Sequence, residues 1–129
     1  MHPFGAAMTR GDVDAAVALL ADDVEFRSPV VFAPYHGPDA VAPLLHAVAV
    51  VFSDFRYTWD VGSADERQHA LVFRARIGDR QLEGCDFLHL NASGAIDELF
   101  VMIRPMSGVL ALAEAMKAQL DAAGGARPA

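Results

Sequence analysis

Asp86 stands where an apolar side chain is expected. In the run 82–90, Leu82, Gly84, Asp86, Leu88 and Leu90 share one face of a strand because side chains alternate across a sheet, and Asp86 alone among them is charged. A carboxylate on such a face is desolvated, which favours its neutral form, so it can stay protonated near neutral pH and donate a hydrogen bond to a ligand oxygen. Gly84, one step along that face, would leave room for a ligand. The same pattern is also compatible with a structural Asp held by a backbone N–H or an arginine.

His36, which titrates near neutrality when unperturbed, is the candidate acid–base partner of Asp86. It lies beside Tyr35 in an irregular segment, near the expected mouth of a pocket; a partly exposed loop histidine without chemical duty is the alternative. Phe26, Ser28, Phe32, Tyr35, Tyr57, Trp59, Leu88, Val101 and Ile103 are the candidate wall of that pocket. Tyr57 and Trp59 could stack on a ring-bearing ligand. His89 is three residues from Asp86 and so faces the other side of the sheet, while His46 and His69 read as surface residues. No pair of His, Cys or Asp has metal-ligand spacing, and neither a metal nor an organic cofactor is expected.

The elements that must position these groups follow from periodicity. A short helix over 3–10 precedes a second one, capped by Asp12, in which Val13, Ala16, Val17 and Leu20 recur at helical spacing until Asp22 and Asp23 break it. Val24, Phe26 and Ser28 alternate as a short strand ended by Pro29. Gly37-Pro38-Asp39 opens a longer helix that buries Val41, Leu44, Leu45, Val48 and Phe52, with Pro43 an awkward fit inside it. After Ser53 the period changes to two: Phe55, Tyr57, Trp59 and Val61 on one face, then Leu71, Phe73, Ala75 and Ile77. Gly78-Asp79 makes a tight hairpin into the Asp86 strand, and Asn91-Ala92-Ser93-Gly94 a second one into the strand over 96–104. Pro105 ends that strand, and Ser107 is placed to cap a last helix carrying Val109, Leu112, Ala113, Met116 and Leu120. Arg74 and Arg76 mark a polar stretch suited to salt bridges, and Arg104 a solvated strand end.

The fold class expected is α+β, a curved antiparallel or mixed sheet wrapped over the N-terminal helices. With 129 residues, 53 % of them hydrophobic, the chain suits one domain, over 1–121, followed by a disordered tail over 122–129. Leu99, Val101 and Ile103 make one face of the last strand apolar, while Phe100 and Met102, with Phe87 and Cys85 beside them, enrich the other. Helices can cover one face only, so a homodimer through the outer sheet face is expected. A net charge of −7 disfavours nucleic acid and anionic membrane as partners. The lone cysteine and the want of a long uncharged apolar run fit a reducing, cytoplasmic setting.

The stretch 11–26, Gly11-Asp12-Val13-Asp14 through Ala21-Asp22-Asp23-Val24-Glu25-Phe26, followed by Ser28-Pro29-Val30 and His36-Gly37-Pro38-Asp39-Ala40-Val41, resembles the nuclear transport factor 2-like superfamily. It is most similar to the branch holding ketosteroid isomerases and SnoaL-like polyketide cyclases. That resemblance implies a cone-shaped, cystatin-like fold with an apolar pocket, and it spans isomerases, cyclases, dehydratases, epoxide hydrolases and non-catalytic modules. Carried over by position, the isomerase's oxyanion-binding Asp falls on Asp86. The place of its general base is taken by Ser28, and that of its oxyanion tyrosine by Phe4, so the resemblance does not imply a standard ketosteroid isomerase. An epoxide hydrolase would need an arginine where Gly84 stands.

The expectation is thus a protein that binds a hydrophobic, oxygenated small molecule in a pocket and acts on it through Asp86, in the manner of a cyclase, isomerase or dehydratase. Its competitor is a non-catalytic binding or dimerisation module with a structural Asp86 and a pocket packed shut by Phe26, Phe32, Tyr57 and Trp59.

Overall fold

The computed structural model describes residues 1–123. Helices α1 (Pro3–Thr9) and α2 (Val13–Val17) lead into β1 (Leu20–Arg27) and the short β2 (Tyr35–His36). Then come α3 (Pro38–Val51), β3 (Ser53–Val61), β4 (Gln68–Ile77), β5 (Arg80–Leu90), β6 (Ile96–Arg104) and α4 (Met106–Ala122). The six strands form one mixed sheet in the order β2-β1-β6-β5-β4-β3, with β1 and β6 parallel and every other neighbour antiparallel. This is the α+β architecture expected, with the helices packed on one face of the sheet.

The β4-β5-β6 centre is held in register by its two hairpins. Asn91 folds the second one locally: its side-chain oxygen accepts from the Ser93 and Ala95 backbone N–H groups, each at 3.0 Å, and Gly94 takes the left-handed φ of 87° that follows. Every second residue of β5 from Leu82 to Leu90 is buried against the helices. Phe4 of α1, Val41 of α3, Leu71 of β4 and Leu99 of β6 join them in the core, each at most 1 % exposed.

Four local expectations are corrected. The second helix ends at Val17 rather than running past Leu20, because Leu20 pairs with Ile96 and the Leu19 carbonyl accepts from Ile96 N–H at 2.9 Å. Parallel pairing with β6 thus outweighs the helical spacing of one more turn, and Asp22 and Asp23 lie within β1. The segment holding Tyr35 and His36 is a strand paired with Phe26 and Glu25. Helix α4 begins at Met106, so Ser107 is already inside it and makes no cap. Ala122, placed in the tail, is its last residue, and residues 124–129 lie outside the described part. Helix α3, by contrast, runs unbroken through Pro43.

The largest correction is on β3. Tyr57 pairs with Phe73, but Trp59, not Thr58, pairs with Val72. Thr58 is therefore an extra residue, a bulge that reverses the alternation beyond it. Phe55 and Tyr57 point inward as expected, while Trp59 and Val61 turn to the outer face, 70 % and 56 % exposed. Asp60 takes the inward place instead, and its carboxylate meets the Met1 amino group at 3.0 Å.

Candidate functional site

The sheet's inner face and helices α1, α3 and α4 enclose a cavity of about 510 Å³. Its wall is mostly apolar: Phe4 and Met8 from α1, Leu44, Leu45 and Val48 from α3, Leu112, Ala113 and Met116 from α4, with Phe26, Val101 and Ile103 from the sheet. Asp86 lies in this wall. Its register neighbours are Leu71 on β4 and Val101 on β6, so no charge flanks it on either side.

Tyr57 donates its hydroxyl to Asp86 Oδ2 at 2.8 Å, across the intervening strand β4. The reach has a visible cause. Phe55 stands edge-on to the Tyr57 ring at 4.9 Å between centroids, and Phe73 edge-on at 6.2 Å, so the phenol is fixed by two aromatic neighbours. Among the described residues Tyr57 is the one hydrogen-bond partner of the Asp86 carboxyl, leaving Oδ1 without one.

Two effects then oppose each other at Asp86. Burial raises its pKa and the Tyr57 hydrogen bond lowers it; burial wins, and the carboxyl is pushed up to about 7. Tyr57 itself is held well above the ordinary phenol value, first by burial and then by the Asp86 charge it faces, so it stays a donor at all working pH. A carboxyl poised at neutral pH, with one oxygen anchored and its side chain in the wall of an apolar cavity, can both accept and return a proton.

The other candidate residues divide. Phe26, Ser28, Tyr35, Tyr57, Val101 and Ile103 line the cavity with Asp86. The Ser28 hydroxyl is occupied by its own loop, accepting from Val30 N–H at 3.1 Å and Val31 N–H at 2.9 Å. Among the described residues no base is hydrogen-bonded to it, which suits a turn residue. Tyr35 packs on Phe26 at 5.9 Å, and burial raises its phenol pKa.

His36 does not reach the cavity: β2 turns it outward, exposed, opposite Glu25. It is no partner for Asp86. Phe32 is fully exposed on the loop between β1 and β2, and Trp59 lies on the outer face behind its bulge, so neither lines the cavity. Leu88 is 2 % exposed within the core cluster and contributes packing rather than cavity wall. Gly84 does not leave free space, because Phe73 fills it; a Cβ there would collide with Phe73 Cζ and lie 2.9 Å from the Met102 carbonyl oxygen.

Elsewhere, His69 is not a surface residue. It is 5 % exposed, its ring 5.0 Å from that of His2, with Nε2 donating to the Glu66 carbonyl at 3.0 Å. Arg104 is ion-paired: it shares Glu83 with Arg74, at 2.9 and 3.0 Å, across β4, β5 and β6. His89 faces outward as expected and meets Asp97 at 2.5 Å.

Sequence reasoning missed the direct Tyr57–Asp86 bond and the contribution of α4. Both residues had been placed on inward strand positions, but their register across β4 is a tertiary fact. Lys117, the only lysine in the sequence, also lines the cavity, and helical spacing alone does not set it apart from the other polar residues of α4.

The chain as a whole has relatives. The model of the SnoaL-like domain family matches residues 3–99. The chain belongs to that family. A solved structure described as a steroid delta-isomerase from Pseudomonas aeruginosa is 40 % identical, with a TM-score of 0.87 over 94 % of this chain and 88 % of that one. A protein with a cystatin-like fold from Silicibacter pomeroyi is 36 % identical, with a TM-score of 0.86 over 94 % and 87 %. An NTF2-like protein from Cytophaga hutchinsonii, 17 % identical with a TM-score of 0.62 over 81 % and 87 %, shares the fold alone. No curated protein is significantly similar in sequence. The SnoaL-like, nuclear transport factor 2-like fold read from the sequence is thus established.

Proposed function

We propose that the protein binds a hydrophobic, oxygenated small molecule in the cavity and moves a proton on it through Asp86, as an isomerase, cyclase or dehydratase of the SnoaL-like kind. The observation that carries this reading is the Asp86 carboxyl itself: Oδ2 anchored by Tyr57, Oδ1 without a partner, pKa about 7, in the wall of a 510 Å³ apolar cavity. A general acid–base group works best when its pKa lies near the working pH. In its ionised form Asp86 takes a proton from a carbon beside a ligand carbonyl; the C–H electron pair passes into an enolate, and the protonated Asp86 returns that proton to carbon or gives it to a leaving oxygen. Tyr57 holds the carboxylate in place throughout.

This division of labour differs from that of a standard ketosteroid isomerase. There, by resemblance, the group at the place of Asp86 serves as a hydrogen-bond donor and a separate carboxylate is the base. Here Ser28 holds the base position with its hydroxyl engaged in a turn, Phe4 replaces the tyrosine, and Asp86 is the only acidic residue lining the cavity among those described. Isomerisation of a 3-oxo-Δ5-steroid should accordingly be slower, by about two to four orders of magnitude, than in a site with a second carboxylate at the place of Ser28, because Asp86 cannot serve as base and as oxyanion donor in one step. Robust turnover would show that a base besides Asp86 exists.

The acid–base reading is tested by deuterium incorporation from D2O into a panel of hydrophobic ketones, followed by NMR. Wild-type protein should label the position beside the carbonyl, faster as pH rises through 7, and Asp86→Asn should abolish labelling while keeping part of the binding. Ketones that bind without any Asp86-dependent labelling would leave a non-catalytic binding module in its place.

A further inference from the structure

We infer that the ligand is an amphipathic acid, its carbonyl or hydroxyl end directed to Asp86 and Tyr57 and its anionic end, a carboxylate or comparable group, held at the cavity mouth by Lys117. This names the ligand class for the site proposed above and rests on that reading. Of the described residues lining the cavity, only Asp86 and Lys117 are charged side chains, and they differ in depth: Asp86 is 8 % exposed, whereas Lys117 is solvent-exposed.

The wall between them is apolar apart from Ser28, whose hydroxyl is used locally, and the Tyr35 and Tyr57 phenols. A ligand that fills this cavity therefore meets polar chemistry at its two ends and hydrophobic surface between. Lysine suits such a rim, because its methylene stem can extend an apolar wall while the ammonium group remains in water.

The placement of Lys117 among the cations is selective. The chain has a net charge of −7, and among the described residues no arginine lines the cavity. Several arginines are spent on ion pairs of the sheet: Arg74 and Arg104 on Glu83, Arg76 on Asp54. Glu114 and Asp121 lie three residues before and four after Lys117 on α4, spacings that put them beside it on the helix surface, yet neither lines the cavity. An anion that approaches this acidic protein thus finds its local attraction at the mouth, and the charge it carries need not be desolvated there.

The experiment compares 3-oxoandrost-4-ene-17β-carboxylic acid with its methyl ester, by calorimetric titration at low salt and at pH 6, where the ligand carboxylate is ionised and Asp86 keeps the proton it donates to the 3-oxo group. Two variants, Lys117→Gln and Asp86→Leu, are run beside the wild type. The acid should bind wild type about threefold to fivefold more tightly than the ester, the range of an exposed ion pair, and the difference should vanish in Lys117→Gln and in high salt. Lys117→Gln should cost the acid more affinity than the ester and leave the melting temperature unchanged, and Asp86→Leu should weaken acid and ester alike. Equal binding of acid and ester to wild type would overturn the inference about Lys117 alone and leave the proposed site standing. Failure of both compounds to bind, or binding indifferent to Asp86→Leu, would overturn the site and the inference with it.

Discussion

The opposed effects at Asp86 make definite predictions. Its native pKa of about 7 lies above the ordinary value near 4, so between these limits the unfolded chain ionises while the folded chain holds its proton. The unfolded state then binds fewer protons, and stability falls as pH rises from about 4 to 7, by roughly 4 kcal/mol from this one group. Below 4 both states are protonated and the penalty is absent. Asp86→Asn should remove that slope in denaturant titrations across the range, and Asp86→Leu should stabilise the empty protein most above pH 7. Tyr57→Phe deletes the hydrogen bond that favours the charged form, so the Asp86 midpoint should rise further, as carboxyl NMR would register. Asp86 was legible in the sequence because its neighbours two residues away on either side are all apolar or glycine. His36 was misjudged for the converse reason: two residues of strand pairing decide which way it points, and no periodicity is visible over so short an element.

At the scale of elements, the fold was readable wherever a pattern ran long. The β4-β5-β6 meander, α3 and α4 follow directly from periods of two and 3.6 with turn residues between them. What escaped was set by single residues and distant partners: the Thr58 bulge, which sends Trp59 outward, and the early end of α2, where pairing with β6 prevails. Phe73 packing over Gly84 belongs to the same class, since a glycine in a strand marks a close approach without saying by what. Gly84→Ala should destabilise the protein by about 1 to 3 kcal/mol, because a Cβ must displace Phe73 on one side and meets the Met102 carbonyl on the other. Since Phe73 lines the cavity, the same variant should weaken ligand binding. Chemical denaturation and a ligand titration on one sample would measure both effects, and an unchanged midpoint would contradict the packing described.

The whole molecule presents one covered and one bare sheet face. The bulge that removes Trp59 from the cavity adds it to an outer surface that already holds Val61, Phe87 and Met102, exposed by 70 %, 56 %, 39 % and 52 % in that order. We propose that a second copy of the chain covers this face, because large exposed apolar side chains gathered on one sheet face mark an interface. Light scattering at micromolar concentration should give twice the chain mass, and Trp59→Glu combined with Met102→Glu should give a monomer with an intact cavity. A clean wild-type monomer would contradict the proposal. Among the described residues no helix is long and apolar enough to cross a membrane.

The proposed chemistry depends above all on the protonation of one carboxyl in that cavity. The most direct measurement is a carbon-13 NMR titration of the Asp86 carboxyl, assigned by its disappearance in Asp86→Asn and repeated with a bound hydrophobic ketone. A midpoint near 7 in the free protein, displaced when the ketone binds, is the expected result. A midpoint near 4 that ignores the ligand would contradict a proton-carrying Asp86.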